Sequence, residues 1–168
     1  MEAGNTNVVG RFDVECYDED GKLAWSATVP NGVTNTALND VLNVYLRNGT
    51  PKANWYMGLI DNSGFTALAA ADTISSHAGW SEATGYSAST RPAWAPAAAS
   101  SQAVVNSSTV DFAMSGTATI RGLFIVSDNT KGGTSGLLYS TAAFTEGNQA
   151  VLNGYTLKVT YTASMSAA

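Results

Sequence analysis

Residues 155–165 read YTLKVTYTASM, and this stretch decides the fold class. Large apolar side chains alternate with polar ones along it: Tyr155, Leu157, Val159 and Tyr161 against Thr156, Lys158, Thr160 and Thr162. Side chains of a β-strand point alternately to the two faces of a sheet, so this period of two predicts a strand with one buried and one solvated face. Half-buried strands of this kind are typical of antiparallel sheets.

The same period occurs near the start of the chain. RFDVECY (11–17) and KLAWSATV (22–29) both alternate, and DEDG (18–21) between them has the composition of a turn. We therefore predict a β-hairpin. The side chains expected to point inward are Phe12, Val14, Cys16, Leu23, Trp25, Ala27 and Val29.

Four further strands are predicted between these two ends. NWYMGLI (54–60) is short and apolar on both faces, which is typical of a central strand. The other three are VDFAM (110–114), ATIRGLFIVS (118–127) and LLYSTAAF (137–144). In the second of these three, the alternation predicts that the inward side chains are Ile120, Phe124 and Val126.

One segment has the period of a helix. In TNTALNDVLNVYLRNG (34–49), apolar side chains recur at intervals of three and four, at Leu38, Val41, Leu42, Tyr45 and Leu46. The pattern predicts an α-helix over about residues 36–47, with Thr34 or Thr36 as its N-cap and Gly49 at its end. We expect the apolar stripe to pack against a sheet.

Residues 65–106 have no sustained period, and we predict a long irregular loop there. Such a loop is unusual inside a compact domain, so the segment either wraps the body as a functional arm or contains short strands. Trp80, Tyr86 and Trp94 are the expected anchors that hold it in place.

Strands joined by short turns, with a single helix, favour a mainly β protein. We predict one antiparallel β-sandwich domain over residues 1–168, jelly-roll-like, with an extended arm at 65–106. A doubly wound sheet is excluded, because it needs several helices between its strands.

Composition narrows the class of function. Charged residues make up 12% of the chain, about half the usual share, and the net charge is −5. The eight Lys and Arg residues are scattered, which argues against nucleic-acid binding. No apolar run is long enough to span a membrane, and the N-terminus has no signal-peptide pattern, so we expect synthesis in a reducing cytoplasm. The lone Cys16 is expected to be a small buried residue.

The one histidine, His77, lies in ADTISSHAGWSE (71–82), beside serines and close to carboxylates. A hydrolytic triad needs its members to converge in space, and adjacent Ser76 and His77 do not readily do so. We expect instead a loop in which Trp80 packs on the body and His77 makes a fixed hydrogen bond. We predict no catalytic residue, no metal site and no cofactor, because the acidic segments DEDG and DNTKGG (128–133) have the pattern of ordinary turns.

The order of several motifs resembles a known group of proteins. FDVECYDEDGKL, NGVTNTALNDVL, WYMGLID, DTISSHAGWSE and RPAW follow one another as in capsid decoration, or cement, proteins of tailed bacteriophages. The resemblance covers roughly residues 8–165. It implies a jelly-roll-like virion protein without enzymatic activity, made in the host cytoplasm, which binds the outer capsid surface as a dimer or trimer and clamps neighbouring capsomers.

On this interpretation the partner is the major capsid protein, and segment 65–106 is the contact arm. The candidate interface residues are His77, Trp80, Tyr86, Arg91 and Trp94, since Trp and Arg are enriched where interface energy concentrates. Alternatively, these side chains only fasten the arm to its own domain. Three other functions remain open: a tail or head-fibre protein, a carbohydrate-binding module that uses exposed aromatic residues, including Trp55 and Tyr56, and a hydrolase centred on His77.

Overall fold

A computed structural model describes residues 7–166, so the predicted lack of an N-terminal signal lies largely outside the described residues. These residues form twelve strands and one helix. In chain order they are β1 (Asn7–Tyr17), β2 (Leu23–Pro30), β3 (Gly32–Val33), α1 (Asn35–Leu46), β4 (Trp55–Asp61), β5 (Glu82–Ala83), β6 (Ala93–Trp94), β7 (Ala103–Val105), β8 (Val110–Ala113), β9 (Ala118–Val126), β10 (Leu138–Ala143), β11 (Gln149–Val151) and β12 (Thr156–Ser166).

The strands form two sheets, and all of the strand pairs are antiparallel. The first sheet has the order β2-β1-β12-β7, with β8 also paired to β12. The second has the order β3-β10-β9-β4-β5, with β11 paired to β9 and β6 paired to β4. The main hydrophobic core draws its side chains from both sheets. The prediction of a mainly β, antiparallel sandwich with one helix is therefore confirmed.

The alternating stretch 155–165 forms the middle of the first sheet. Strand β12 pairs along its whole length with β1, from Asn7 opposite Ser166 to Tyr17 opposite Thr156. The side chains of Leu157, Val159 and Tyr161 are 0% exposed, as the alternation predicted. The predicted hairpin of β1 and β2 is also present.

For one residue of that hairpin, Leu23, the predicted inward orientation was wrong. Leu23 is 47% exposed, although Val29 at the other end of β2 is buried. The pairing slips by one residue between Cys16 and Tyr17, so that Leu23 lies opposite Tyr17. A bulge of this kind bends the strand, and here the end of the hairpin leaves the core.

The centre of the second sheet is buried on both faces. On β4, Met57 and Leu59 belong to the main core, whereas Ile60 belongs to a second cluster on the outer face. Phe124 and Val126 of β9 also join this second cluster, so their predicted inward orientation was wrong. The register between β4 and β9 shifts at Ile60 and Asp61, which reverses the alternation after Ile120.

Segment 65–106 covers that outer face, and it is not irregular throughout. Ile74 and Trp80 complete the second cluster, with Phe65 and Leu68 packed against it. Three short strands that the sequence did not reveal, β5, β6 and β7, pair with β4 or β12. Strands of two or three residues are too short to show a period, so the sequence could not distinguish them from a loop.

Residues 95–107 form a β-hairpin at the end of this segment. Ala97 N–H donates to Val105 O at 2.8 Å, and Ser107 N–H donates to Ala95 O at 2.9 Å. At its tip, Ser101 and Gln102 have φ values of 51° and 57°, as in the tight turns that match the twist of two strands. Residues 95–102 are all exposed, and they form the longest exposed run of the segment.

Helix α1 begins and ends one residue before its predicted bounds. Its buried face differs from the prediction. Ala37 is its only fully buried residue, and most of the predicted stripe is in solvent: Leu38 is 37% exposed, Leu42 54%, Tyr45 87% and Leu46 70%.

The N-terminal cap explains this rotation of the helix. Thr34 Oγ1 accepts from the Ala37 N–H at 3.2 Å and donates to Leu138 O at 2.6 Å, while Asn35 N–H donates to Ala70 O at 2.8 Å. These bonds orient the first turn with Ala37 towards the sheet. Because consecutive residues differ by about 100° around a helix, the stripe that begins at Leu38 points away from the body.

The thiol of Cys16 is expected to be unreactive in the folded protein. Its side chain is 0% exposed, and burial, with a smaller effect of the Asp18 charge, raises its pKa to about 11. The thiolate is the reactive form, so at pH 8 only about one thiol in a thousand is ionised. We expect labelling by a disulfide reagent to be at least about 100-fold slower than in guanidinium chloride. Equal rates in the two conditions would contradict this burial.

Candidate functional site

The loop around His77 is held by its own hydrogen bonds. His77 Nδ1 lies 2.9 Å from Trp80 O, and because a carbonyl only accepts, Nδ1 carries the proton. The two rings stack with their centroids 3.9 Å apart. Trp80 Nε1 donates to Asp72 Oδ2 at 3.0 Å, and the same oxygen accepts from the Ala69 N–H at 2.9 Å. The histidine therefore bonds to a backbone carbonyl, and the carboxylate bonds to the tryptophan.

Arg91 joins the segment to the loop that follows β9. Its side chain is 0% exposed and forms a double ion pair with Glu82, Nε to Oε1 at 3.0 Å and Nη2 to Oε2 at 2.7 Å. It also donates to Asp128 O at 3.0 Å and to Gly133 O at 2.8 Å, and its guanidinium lies 5.3 Å from the Phe124 ring centre. Each of these partners belongs to the same chain, so the arginine fastens two of its loops together.

Tyr86 is held in a similar way. Its side chain is buried, edge-on to Phe112 at 5.1 Å, and Lys131 Nζ lies 4.4 Å from its ring centre. Lys131 also donates to Tyr86 O at 2.9 Å and to Ala88 O at 2.6 Å. Burial, with a smaller contribution from the Glu82 charge, raises the pKa of the Tyr86 hydroxyl. These contacts hold residues 86–88 against the acidic turn at 128–133.

That turn and the turn at 18–21 are closed by hydrogen bonds. Asp18 Oδ1 accepts from the backbone N–H groups of Asp20 and Lys22. Asp128 Oδ1 accepts from the Thr130 N–H at 2.9 Å, which lowers the pKa of this carboxyl. In the part of the chain that the structure describes, no group of three or more His, Cys, Asp or Glu side chains is placed to hold a metal ion.

Four of the five candidate interface residues are buried within their own domain. Arg91 is 1% exposed, Tyr86 2%, Trp80 5% and Trp94 9%, and His77 is half-buried. Their positions accord with the alternative that they fasten segment 65–106 to the body. The same burial removes Trp80, Tyr86 and Trp94 from the exposed aromatic residues that a carbohydrate-binding module could use, and Trp55 and Tyr56 are half-buried.

The structure contains an apolar groove that the sequence did not predict. It has a volume of about 600 Å³ and is lined by side chains from α1, both sheets and hairpin 95–107. Its wall on the helix is Val41, Val44 and Tyr45. Facing side chains include Trp55, Tyr139 and Met165.

The groove is almost free of charge. Its charged lining residues are Asp40 and Lys52, and these two form an ion pair at 3.0 Å. The exposed side of α1, with Leu38, Leu42 and Leu46, borders it and shares Tyr45 with it. We call this combination the α1 face: the exposed side of α1 together with the adjoining groove.

No family model matches the chain, and no curated protein matches it. No helix within residues 7–166 is long and apolar enough to cross a membrane.

Proposed function

We propose that this chain is a structural protein of a bacteriophage virion, a capsid decoration or cement protein. It binds the outer surface of the capsid, through the major capsid protein, and stabilises the contacts between capsomers. The observation that carries the proposal is the α1 face, on which Leu42, Tyr45 and Leu46 are 54%, 87% and 70% exposed beside an apolar groove. Large exposed apolar patches mark surfaces that bind other molecules.

The rest of the surface supports the same class of function. Only 12% of residues are charged, so little charge has to be dehydrated when the protein lies against a neighbour. Residues 95–102, at the end of hairpin 95–107, are exposed throughout, and this hairpin takes the role of the predicted contact arm. The buried anchors of segment 65–106, Trp80 and Arg91 among them, give the hairpin a rigid base.

The mechanism is mechanical. Many copies, each with modest contacts across a boundary between capsomers, raise the free energy needed to separate them. A tail or head fibre would use the same kind of surface, and its position in the particle distinguishes it.

Treatment of purified heads tests the proposal. We expect a mild chaotrope to release this protein from the heads of the phage that encodes it, and the stripped heads to break at a lower temperature. Adding back the purified protein should restore their resistance. Stripped heads that are as robust as complete ones would contradict a cement role, and recovery of the protein with tails would favour the tail alternative.

A pair of variants tests the role of the hairpin in this assay. Ala98→Asp places a charge on exposed hairpin 95–107, and Ala88→Asp makes the same change at an exposed position outside it. Burying an unpaired charge in a contact is costly, so we expect Ala98→Asp to weaken rebinding to stripped heads by about tenfold. Ala88→Asp should rebind like the unmodified protein. Equal binding by the two variants would exclude the hairpin from the contact.

A further inference from the structure

The outer side of α1 forms an apolar ridge. Leu38, Leu42 and Leu46 are spaced by four residues, so they lie one above another along the same side of the helix. Tyr45 lies next to this row and is 87% exposed. A side chain as large as tyrosine at this exposure, on a helix that the body holds through Thr34, is available to fill a cavity in a partner.

The groove is the matching cavity. At about 600 Å³ it is in the range of cavities that take a drug-sized ligand, which is room for more than one large side chain. Val41 and Val44 of the same helix line it, so ridge and groove lie side by side. One molecule therefore presents a convex and a concave apolar surface side by side, which allows a self-complementary, two-fold contact between identical subunits.

The charges near the α1 face favour a second copy over an ionic partner. Between Asn35 and Leu46 the helix carries one charged side chain, Asp40, and Lys52 already pairs with it. Arg47 follows the helix and donates to Asn43 Oδ1 at 3.3 Å. If two helices meet antiparallel, the two copies of Arg47 lie at opposite ends of the contact. A second copy thus brings no unpaired charge against the groove.

We infer that two copies of this chain associate through the α1 face, with the ridge of each copy in the groove of the other. This deepens the proposed function and rests on it: of the two surfaces that the proposal uses, the α1 face binds a second copy and hairpin 95–107 binds the capsid. Specific interfaces begin at about 1,000 Å² in total, or about 500 Å² per copy. Towards this area the α1 face supplies four large apolar side chains, 37–87% exposed, beside the groove. We therefore expect association in the micromolar range. One side of hairpin 95–107 lines the groove, and its exposed side chains outside the groove, such as Ala98, are left for the capsid.

Light scattering after size-exclusion chromatography tests this inference. We expect the unmodified chain to run as a dimer at the top of the micromolar range, and Leu42→Asp to raise the dissociation constant at least about 30-fold. Leu152→Asp is the matched control, because Leu152 is 46% exposed, close to the 54% of Leu42, and lies outside the α1 face. It should associate like the unmodified chain.

A second variant guards against misfolding of the first. Tyr45→Ser removes a ring that is 87% exposed, so the fold is expected to persist, and circular dichroism checks this for each variant. It should also weaken association. An unmodified chain that stays monomeric across the micromolar range would overturn the inference, as would equal association of Leu42→Asp and Leu152→Asp. A monomer that takes up an apolar dye in the groove would overturn it in favour of a small ligand.

Binding to stripped heads separates this inference from the proposed function. A chain that is monomeric but restores the heads would overturn the self-association and leave the cement role standing. A dimer that Leu42→Asp disperses, but that does not bind heads, would support the inference about the α1 face and contradict the cement role.

Discussion

Replacing Arg91 with methionine is expected to lower the free energy of unfolding by about 3–5 kcal/mol. The change leaves Glu82, whose side chain is 8% exposed, without its cation, although the Gly132 N–H still donates to it at 2.9 Å. It also removes the donors to Asp128 O and Gly133 O. An unpaired buried charge is costly, and the effect is a large fraction of the stability of a typical domain. Urea unfolding followed by tryptophan fluorescence measures it.

Two further variants identify the cause of this loss. In Arg91→Met with Glu82→Leu, no charge is left unpaired, so we expect much of the stability to return. Lys158→Met is the surface control: Lys158 and Asp111 are 3.3 Å apart with side chains 41% and 45% exposed, and breaking such a pair should cost less than about 1 kcal/mol. A similar loss for Arg91→Met and Lys158→Met would show that burial of the pair is not the cause.

Gly122→Ala is expected to destabilise the protein by about 3 kcal/mol or more. A Cβ atom at position 122, in the middle of β9, would clash with the backbone oxygen of Ala142 on β10 and would lie 3.0 Å from the Ala143 Cα. Because the obstacle is backbone rather than a mobile side chain, the strands have to separate at the centre of the second sheet.

Gly116→Ala is the control for this change. A Cβ atom at Gly116 meets nothing within 4 Å, and its φ is not in the left-handed region. The free energy of unfolding of Gly116→Ala, measured in urea, should stay within about 0.5 kcal/mol of that of the unmodified protein. If both variants unfolded at the same urea concentration, close approach of the strands at Gly122 would not matter to stability.

Strands with one solvated face were the most predictable part of the fold. The alternation in β1 and β12 survives because the outer face of the first sheet is in water. Where segment 65–106 covers the second sheet, polar residues have no face to occupy, and Leu123, Phe124, Ile125 and Val126 are all buried. A run of this kind contains no information on which side chain points to which cluster.

The candidate site was less predictable for a different reason. Residue type marked Trp80 and Arg91 as important, but the same chemistry serves a binding surface and an internal anchor. The groove combines positions as distant as Tyr45 and Met165, each of which resembles a core residue in sequence. The one sequence signal for the groove was in the helix. With Ala37 and Val44 included, its apolar residues cover more of its surface than one face packed on a sheet needs.

The pairing of β1 with β12 determines how the molecule responds to force. Asn7 lies opposite Ser166, so tension applied to the two ends of the pair opens it one residue pair at a time, as a zipper does. Tension applied between α1 and hairpin 95–107 does not pull on residues 7 and 166, so it does not open the β1–β12 pair from that end. A single-molecule pulling experiment should therefore record lower rupture forces with handles at residues 7 and 166 than with handles on the helix and the hairpin.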